Sequence, residues 1–284
     1  MAAETQRGRT ADGSAWWLHG PAEGAADRTA DEAPPLVLIH GLGLNRHCWD
    51  WQLPALAARH RVLAYDLYGH GDSAAPPGRP DLTLYAAQLA GLLDALEIPR
   101  AVLIGFSLGG MINRRFAMDY PGRAAALAIL NSPHERSAEA QRLVEQRAAD
   151  SGAGPAATLD ATLERWFTAA FRAAQPQIIE RVRRWVLGND PQHYAHCRQV
   201  LASGVIELIR PQPPIGGAGG APLPTLVMTA ENDSGSTPAM ARAIAAEIAG
   251  ARLHIVPRLQ HMGLVEEPAL FVAPLLEFLD QLRH

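Results

Sequence analysis

The stretch VLIGFSLGGM limits what this chain can fold into, because an apolar run leads into a serine that is enclosed by glycines. Its spacing predicts a buried strand over 101–104 and a helix over 111–118, with Ser107 on the sharp turn between them. A residue on such a turn has strained backbone angles and needs small neighbours, which Gly105 and Gly109 provide. The pattern alone also fits an ordinary loop. The strand before it and the helix after it favour a nucleophile at the mouth of the helix.

Short apolar strands alternate with helices on both sides of this turn. The predicted strands are 36–39, 61–65, 101–104, 125–130, 225–229 and 252–256. The predicted helices outside the middle of the chain are 49–58, 83–96, 111–118, 238–248 and 268–282. This alternation predicts an α/β fold with a mostly parallel, doubly wound sheet, and an Asp-Gly pair at 12–13 predicts a hairpin before it. Ligands of such sheets bind at the carboxyl ends of the strands.

The alternation stops between 134 and 210, where helices follow one another without a strand. Their predicted spans are 137–149, 158–174, 176–187 and 191–203. We therefore expect a core made of 1–133 and 211–284, with a helical lid at 134–210 inserted after the sixth strand. Connections are expected at 20–35 and, rich in Pro and Gly, at 211–224. A lid over the strand ends is a typical place for substrate selection.

Composition excludes several classes of function. The chain has 284 residues, a net charge of −4, and no Lys among its 25 basic residues, which excludes Schiff-base and Ser-Lys chemistry. The acidic balance predicts neither a nucleic acid nor a membrane as partner. Cys48 and Cys197 are too few and too far apart for a disulfide framework. The start has no apolar signal segment, so we expect a cytoplasmic protein. We also expect no metal or cofactor. The sequence leaves open whether it forms a homo-oligomer.

A serine nucleophile needs a base to accept its proton and an acid to orient that base. Among the 11 His, His261 is the predicted base, because it lies on the loop between the last predicted strand and the last helix. Asp233 is the predicted acid, since it follows another strand end; the alternative is a turn or helix-capping residue. Glu231 is the alternative acid, but it lies so close to the strand that it is expected to serve the turn. The order Ser107, Asp233, His261 is the order of α/β-hydrolases.

Other polar residues near the predicted strand ends are expected to have structural roles. His40 and His70 belong to Gly-containing turns and are expected to hold them by hydrogen bonds. Asp66 and Asp72 are expected to pin neighbouring loops. Asn131 follows a strand where an acid would be well placed, but it carries no charge and is excluded as the acid.

A tetrahedral intermediate also needs donors for its oxyanion. The backbone N–H of Leu108, at the start of the helix after the serine, is one candidate. The N–H of Leu42, in the Gly-containing loop after strand 36–39, is the other. Their side chains have no part in this prediction.

Residues of the predicted lid are open to two interpretations. Aromatic residues at helical spacing are more typical of the core than of a pocket wall; they are Trp166, Phe167, Phe171 and Trp185. Three arginines are candidates for a substrate carboxylate, although a solvated face is the simpler interpretation; they are Arg181, Arg183 and Arg184. His193 and His196 lack a Cys or carboxylate at metal-ligand spacing.

Five motifs, in this order and spacing, resemble the α/β-hydrolase fold superfamily over nearly the whole chain. They are HGLG at 40–43, YDLYGHGDS at 65–73, GFSLGG at 105–110, ENDSGSTP at 231–238 and QHMGLVEEP at 260–268. The resemblance implies a triad of Ser107, Asp233 and His261, with Leu42 and Leu108 at the oxyanion. The stretch 163–204 is similar to the lid of 3-oxoadipate enol-lactonase-like and carboxylesterase members. A serine at 107 implies that the chemistry is not that of haloalkane dehalogenases or epoxide hydrolases, which use a carboxylate nucleophile.

These features predict a serine hydrolase that cleaves a carboxylic ester or lactone of a small, largely apolar substrate through an acyl-enzyme. Thioester hydrolysis and cofactor-free perhydrolysis use the same machinery and stay open. A second hypothesis is C–C bond hydrolysis of a vinylogous diketone on the same triad. A third, from another class, is a non-catalytic ligand-binding protein on the hydrolase fold. Turnover of simple esters distinguishes the first from the other two.

Overall fold

The computed structural model describes residues 5–20, 33–211 and 214–282, and within them eight strands form a single sheet. The strands are β1 (Thr5–Arg9), β2 (Ala15–His19), β3 (Leu36–Ile39), β4 (Val62–Tyr65), β5 (Ala101–Phe106), β6 (Ala124–Leu130), β7 (Thr225–Ala230) and β8 (Arg252–Val256). Their order across the sheet is β1-β2-β4-β3-β5-β6-β7-β8. Strands β3 to β8 are parallel, and β2 pairs antiparallel with both β1 and β4. The predicted mostly parallel α/β sheet is confirmed.

Helices flank this sheet and fill the stretch between β6 and β7. They are α1 (Leu53–Ala57), α2 (Leu82–Ala95), α3 (Leu108–Asp119), α4 (Ala138–Ala149), α5 (Leu159–Trp166), α6 (Ala169–Ala174), α7 (Pro176–Leu187), α8 (Pro191–Ser203), α9 (Pro238–Glu247), α10 (Gly263–Glu266) and α11 (Pro268–Gln281). Single 3₁₀ turns occur at Arg46–Trp49, Asp150–Ala153, Ala156–Thr158, Gly204–Leu208 and Ala218–Gly220. No helix among the described residues is long and apolar enough to cross a bilayer.

The central strands are apolar along their whole length because both faces of the sheet are covered. Every residue of β3 and of β5 is buried. Continuous apolar runs of this kind are typical of parallel strands with helices on both sides. The core therefore sits on the sheet, and the polar residues that follow the strands are left at one edge.

The hairpin at the start of the sheet follows the predicted Asp-Gly turn. Gly13 has a φ of 85°, a conformation that glycine adopts at little cost. Strand β1 was not predicted, because its sequence TQRGR is polar and every residue in it is exposed. Backbone pairing with β2 holds β1 in the sheet, although its side chains show no strand pattern.

The prediction of one helix over 158–174 is wrong, since the helical conformation is interrupted between α5 and α6. Phe167 is fully buried and has an extended backbone, with φ −125° and ψ 142°. The carbonyl of Trp166 accepts a bond of 2.8 Å from the N–H of Met262, and the side chain of Thr168 caps α6. Tertiary contacts to the loop after β8 therefore override the helical pattern.

Two other predicted boundaries shift. Strand β5 runs to Phe106 and helix α3 begins at Leu108, so Ser107 alone forms the turn. The helix predicted at 49–58 is a 3₁₀ turn followed by the short helix α1. The described residues leave out the first four residues of the chain and parts of the connections predicted at 20–35 and 211–224.

Candidate active site

Ser107 sits on the strained turn that the sequence predicts. Its φ of 56° and ψ of −113° are rare for a residue with a side chain. Its N–H donates to the carbonyl of Leu130 at 2.8 Å, which ties the turn to the neighbouring strand. A Cβ atom at Gly105 would overlap the carbonyl of Gly109, and one at Gly109 would overlap the carbonyl of Ile39. Both glycines are therefore required for the helix to reach the sheet closely enough to present the serine.

Three side chains from distant parts of the chain form one line of hydrogen bonds. The Nε2 atom of His261 lies 3.1 Å from the Oγ atom of Ser107, and Nδ1 lies 2.6 Å from Oδ2 of Asp233. A carboxylate only accepts, so Nδ1 carries the proton and Nε2 accepts from the serine hydroxyl. The structure brings together all three residues that the sequence singles out, at the carboxyl ends of β5, β7 and β8.

The carboxylate of Asp233 is buried and fully engaged. Its Oδ1 atom accepts from the N–H groups of Gly235 and Ser236, both at 2.9 Å. Burial acts to raise the pKa of Asp233, but the interaction with His261 and the other donors around the carboxylate outweigh it, so the pKa is lowered. Asp233 is therefore a charged acceptor that holds the imidazole in one orientation. Glu231 instead accepts from the N–H of Arg258 at 2.8 Å and serves the turn, as predicted.

Asn131 belongs to this site, although the sequence analysis excludes it as the acid. Its side-chain NH₂ donates to Oδ2 of Asp233 at 2.9 Å, and the residue is fully buried with a φ of 46°. Its position after β6 signals proximity to the site. Its role as a donor to Asp233 depends on the packing of β6 beside β7, which the local sequence does not contain.

Two aromatic rings enclose the imidazole of His261. The ring of Phe106 lies 5.0 Å from it and the ring of Trp166 lies 5.9 Å from it, measured between centroids. Trp166 comes from α5 in the helical insertion, residues 134–210, and it lines the cavity in front of Ser107. Phe167 and Phe171 instead stack on each other at 5.5 Å, and Phe167 is fully buried, in line with the core interpretation.

The loop after β3 is held by two buried histidines. His40 accepts from the N–H of Leu67 at 2.9 Å, and His70 accepts from the N–H of Gly43 at 3.1 Å. Burial lowers the pKa of His40 to about 4 and that of His70 to about 3, so both rings are neutral acceptors near neutral pH. The predicted loop-holding roles are confirmed.

Asp66 and Arg46 strengthen the same region. The carboxylate of Asp66 is fully buried, accepts from the N–H of Arg46 at 2.7 Å and forms an ion pair with its guanidinium. Asp72 donates its backbone N–H to Asp66 at 2.9 Å and also pairs with Arg46 at 2.6 Å. Both aspartates pin loops, as predicted.

The two backbone N–H groups predicted at the oxyanion are available. Within the described residues, neither the N–H of Leu42 nor that of Leu108 donates to a protein acceptor. Leu42 lines the cavity, and Leu108 is the first residue of α3 directly after Ser107. Gly41 lies against the serine, since a Cβ atom there would come within 3.1 Å of the Cβ of Ser107. Both N–H groups are therefore without a competing acceptor among the described residues.

A cavity of about 270 Å³ opens in front of Ser107 and His261. Its apolar wall comes from the core and from the helical insertion, and includes Leu42, Leu44, Phe106, Val144, Trp166 and Met240. Its size is near the lower end of the range for small-molecule sites. Within the described part of the chain, no group of three or more His, Cys, Asp or Glu side chains is placed to hold a metal ion.

The strained turn at Ser107, the hydrogen-bonded Ser-His-Asp line and the parallel sheet agree with the comparison to protein families. The model of the alpha/beta hydrolase family matches residues 36–274. This chain belongs to the alpha/beta hydrolase family. The match to the family covers most of the length of the chain.

Relatives of this alpha/beta hydrolase include enzymes of different named activities. The chain is 29% identical to 3-oxoadipate enol-lactonase 2 of Acinetobacter baylyi over 87% of each protein. It is 31% identical to a putative carbamate hydrolase of Variovorax paradoxus over 92% of this chain and 94% of that protein. The solved enol-lactonase of Burkholderia xenovorans has a TM-score of 0.79 and 30% identity, covering 97% of this chain and 100% of the other. Membership of the family is thus clear, whereas the named substrates differ.

Proposed function

We propose that this chain is a serine hydrolase that cleaves a carboxylic ester or lactone through an acyl-enzyme. The single observation that carries the proposal is the continuous hydrogen-bonded line from Ser107 through His261 to Asp233. The lactonase names of two relatives support the bond type. In this proposal the three residues are the catalytic triad, and the segment 134–210 is a lid over the cavity.

The chemistry follows from the positions of the protons. His261 takes the hydroxyl proton of Ser107 through Nε2 as Oγ attacks the carbonyl carbon, and the charge of Asp233 stabilises the imidazolium that forms. The N–H groups of Leu42 and Leu108 donate to the oxyanion, where one such donor typically supplies about 2.7–4 kcal/mol. His261 then protonates the leaving alcohol. Water, deprotonated by the same imidazole, releases the acid and restores the serine.

The test is labelling with a serine-directed fluorophosphonate together with hydrolysis of p-nitrophenyl esters. We expect the intact protein to be labelled once and to hydrolyse the esters, and Ser107→Ala to lose both properties. Ser203→Ala is the matched control, because Ser203 is an exposed helix-end serine whose hydroxyl donates to the carbonyl of Gln199. Full ester turnover by Ser107→Ala contradicts the proposal.

The same protein preparation distinguishes the remaining alternatives. Turnover of a vinylogous diketone but of no ester or lactone would favour C–C hydrolysis. A carbamate belongs in the substrate panel because of the name of one relative. Tight binding of a ligand without any turnover would favour a binding protein. A cytoplasmic location and the independence of any cofactor stay predictions from the sequence, which leaves the oligomeric state open.

A further inference from the structure

One part of the cavity wall is strongly positive. Four arginines of the helical insertion line the cavity together with Ser107 and His261; they are Arg136, Arg147, Arg165 and Arg198, hereafter the arginine cluster. Among the described residues of the same lining, the only carboxylate belongs to Asp233, which already bonds to His261. None of the four was singled out by the sequence analysis, which named arginines of α7 instead.

The guanidinium groups of the arginine cluster lack carboxylate partners. Among the described residues, none of the four has a carboxylate oxygen within 4.0 Å. Arg165 donates to the hydroxyl of Thr162 at 3.0 Å, and Arg198 donates to the hydroxyl of Thr158 at 3.2 Å. Neutral oxygens thus take the place of counter-ions.

Arg136 follows the same pattern. It donates to the side-chain oxygen of Gln141 at 3.0 Å and to the carbonyl of Leu201 at 3.5 Å. These contacts orient the guanidinium between the start of α4 and the end of α8. They leave its positive charge without a neutralising group.

Other arginines of the insertion show that acids are available to pair with. Arg172 pairs with Glu164 at 3.8 Å, Arg183 pairs with Asp160 at 2.6 Å, and Arg181 pairs with Asp50. These pairs lie away from the cavity lining. The absence of acids is therefore a property of the cavity wall and not of the insertion as a whole.

The guanidinium charges of the arginine cluster repel one another, and this makes the empty cavity energetically unfavourable. Arg136, Arg165 and Arg198 are partly buried, and burial lowers the pKa of Arg165, with further lowering by the charges of Arg147 and Arg198. Burial also lowers the pKa of Arg136. Glu164 and Glu145 act on Arg165 and Arg136 in the opposite direction but from beyond ion-pair distance. An anion inside the cavity would relieve the mutual repulsion.

We propose that the arginine cluster is a subsite for a carboxylate of the substrate, separate from the ester or lactone carbonyl that faces Ser107. The substrate then has an apolar middle, which lies against the apolar wall, and an anionic end. This refines the sequence-based expectation of a largely apolar substrate, and it rests on the proposed function. A carboxylate fits the fork of a guanidinium with two parallel hydrogen bonds.

The first experiment compares matched pairs of esters in the intact enzyme. The pairs are p-nitrophenyl hemiglutarate with p-nitrophenyl valerate, and 4-acetoxybenzoate with its methyl ester. The two pairs place the carboxylate on the acyl side and on the leaving side. We expect kcat/KM for one charged ester to exceed that of its neutral match by at least about tenfold, since hydrogen bonds to a charged group are stronger than those between neutral groups. No preference in either pair overturns the subsite.

The second experiment removes single charges from the arginine cluster. Arg165→Gln and Arg198→Gln are expected to lower the charged-to-neutral ratio of kcat/KM about tenfold, and Arg198→Lys to restore part of it. Arg142→Gln is the matched control, because Arg142 is exposed on α4 and does not line the cavity. A ratio that is unchanged in both Gln variants, with folding verified by near-ultraviolet circular dichroism, contradicts the proposal.

A binding measurement separates failure of the subsite from failure of the proposed function. Titration of Ser107→Ala with glutarate in a calorimeter needs no turnover and is expected to show binding that weakens with added salt. Phosphate is the comparison ligand, and tighter binding of phosphate than of glutarate overturns the choice of a carboxylate. Glutarate binding without ester hydrolysis would support the subsite while refuting the hydrolase. Ester hydrolysis without glutarate binding or charge preference would refute the subsite alone.

Discussion

Asp233 keeps its charge in the interior because four donors surround its carboxylate. The N–H groups of Gly235 and Ser236 bond to one oxygen, and His261 and Asn131 bond to the other. A buried carboxylate without such donors would take up a proton. The charge that orients His261 therefore depends on neighbours from three different loops.

Asn131→Ala tests this dependence through pH. The pKa of Asp233 is lowered from 3.8, so its ionised form stabilises the fold above that pH, and the contribution is lost as the pH falls through the lowered pKa. Without the Asn131 donor the contribution shrinks. We expect the free energy of unfolding to fall by about 1.5–3 kcal/mol at about pH 7, and the deficit to narrow in acid. Urea unfolding of the variant and the parent protein, at neutral pH and in acid, measures the difference in unfolding free energy.

Asn232→Ala is the control for that prediction. Asn232 donates at 3.0 Å to the carbonyl of Arg258, which does not titrate, so any deficit there is expected to be independent of pH. The same pH-independent deficit in Asn131→Ala would contradict the prediction.

Helix α3 lies unusually close to the sheet, and this closeness is what presents Ser107. The contact is between backbones, because Gly105 and Gly109 leave no side chain between the helix and β3 or β5. The sequence indicates the need for glycine at both positions. The surfaces that the glycines touch become known only once the helix is placed.

Gly109→Ala tests this contact. We expect it to destabilise the protein, although helix propensity alone would predict a stabilisation. Alanine in a helix is more favourable than glycine by about 1 kcal/mol, yet its Cβ atom would overlap the carbonyl of Ile39 within the sheet. We expect a loss of about 3 kcal/mol in the free energy of unfolding, the upper range for overpacking. Thermal and urea unfolding check the value.

Gly78→Ala is the matched substitution for that experiment. Gly78 is exposed, its φ is not positive, and a Cβ atom there would meet nothing within 4 Å. Its unfolding free energy is expected to stay within about 0.5 kcal/mol of the parent protein, as for most surface substitutions. Equal stability of the two variants would show that α3 can move away from the sheet.

The insertion and the sheet share one hydrophobic core. Buried residues of α5, α7 and α8 belong to the same cluster as the strands, among them Leu163, Val186 and Val200. The insertion also bonds to α10, where Glu266 accepts from Thr168 at 2.9 Å and 2.6 Å. We therefore expect the insertion and the sheet to unfold together.

The two cysteines report on this cooperativity. Cys48 lies in the 3₁₀ turn Arg46–Trp49 and Cys197 lies in α8; both are fully buried. Burial raises the pKa of Cys48 well above its usual value and that of Cys197 to about 12. We expect a thiol reagent to label neither in the native protein, and both at one rate as urea increases. Mass spectrometry resolves the two sites, and faster labelling of Cys197 would contradict joint unfolding.

Short patterns at strand ends were enough to predict the parallel sheet, the sharp turn at Ser107 and the three residues of the hydrogen-bonded line. The donor role of Asn131, the break at Phe167 and the position of the arginine cluster became known from the fold, because they depend on contacts between residues distant in sequence. The helical period predicts that a face is polar or apolar, but packing decides whether that face meets solvent, another helix or a cavity.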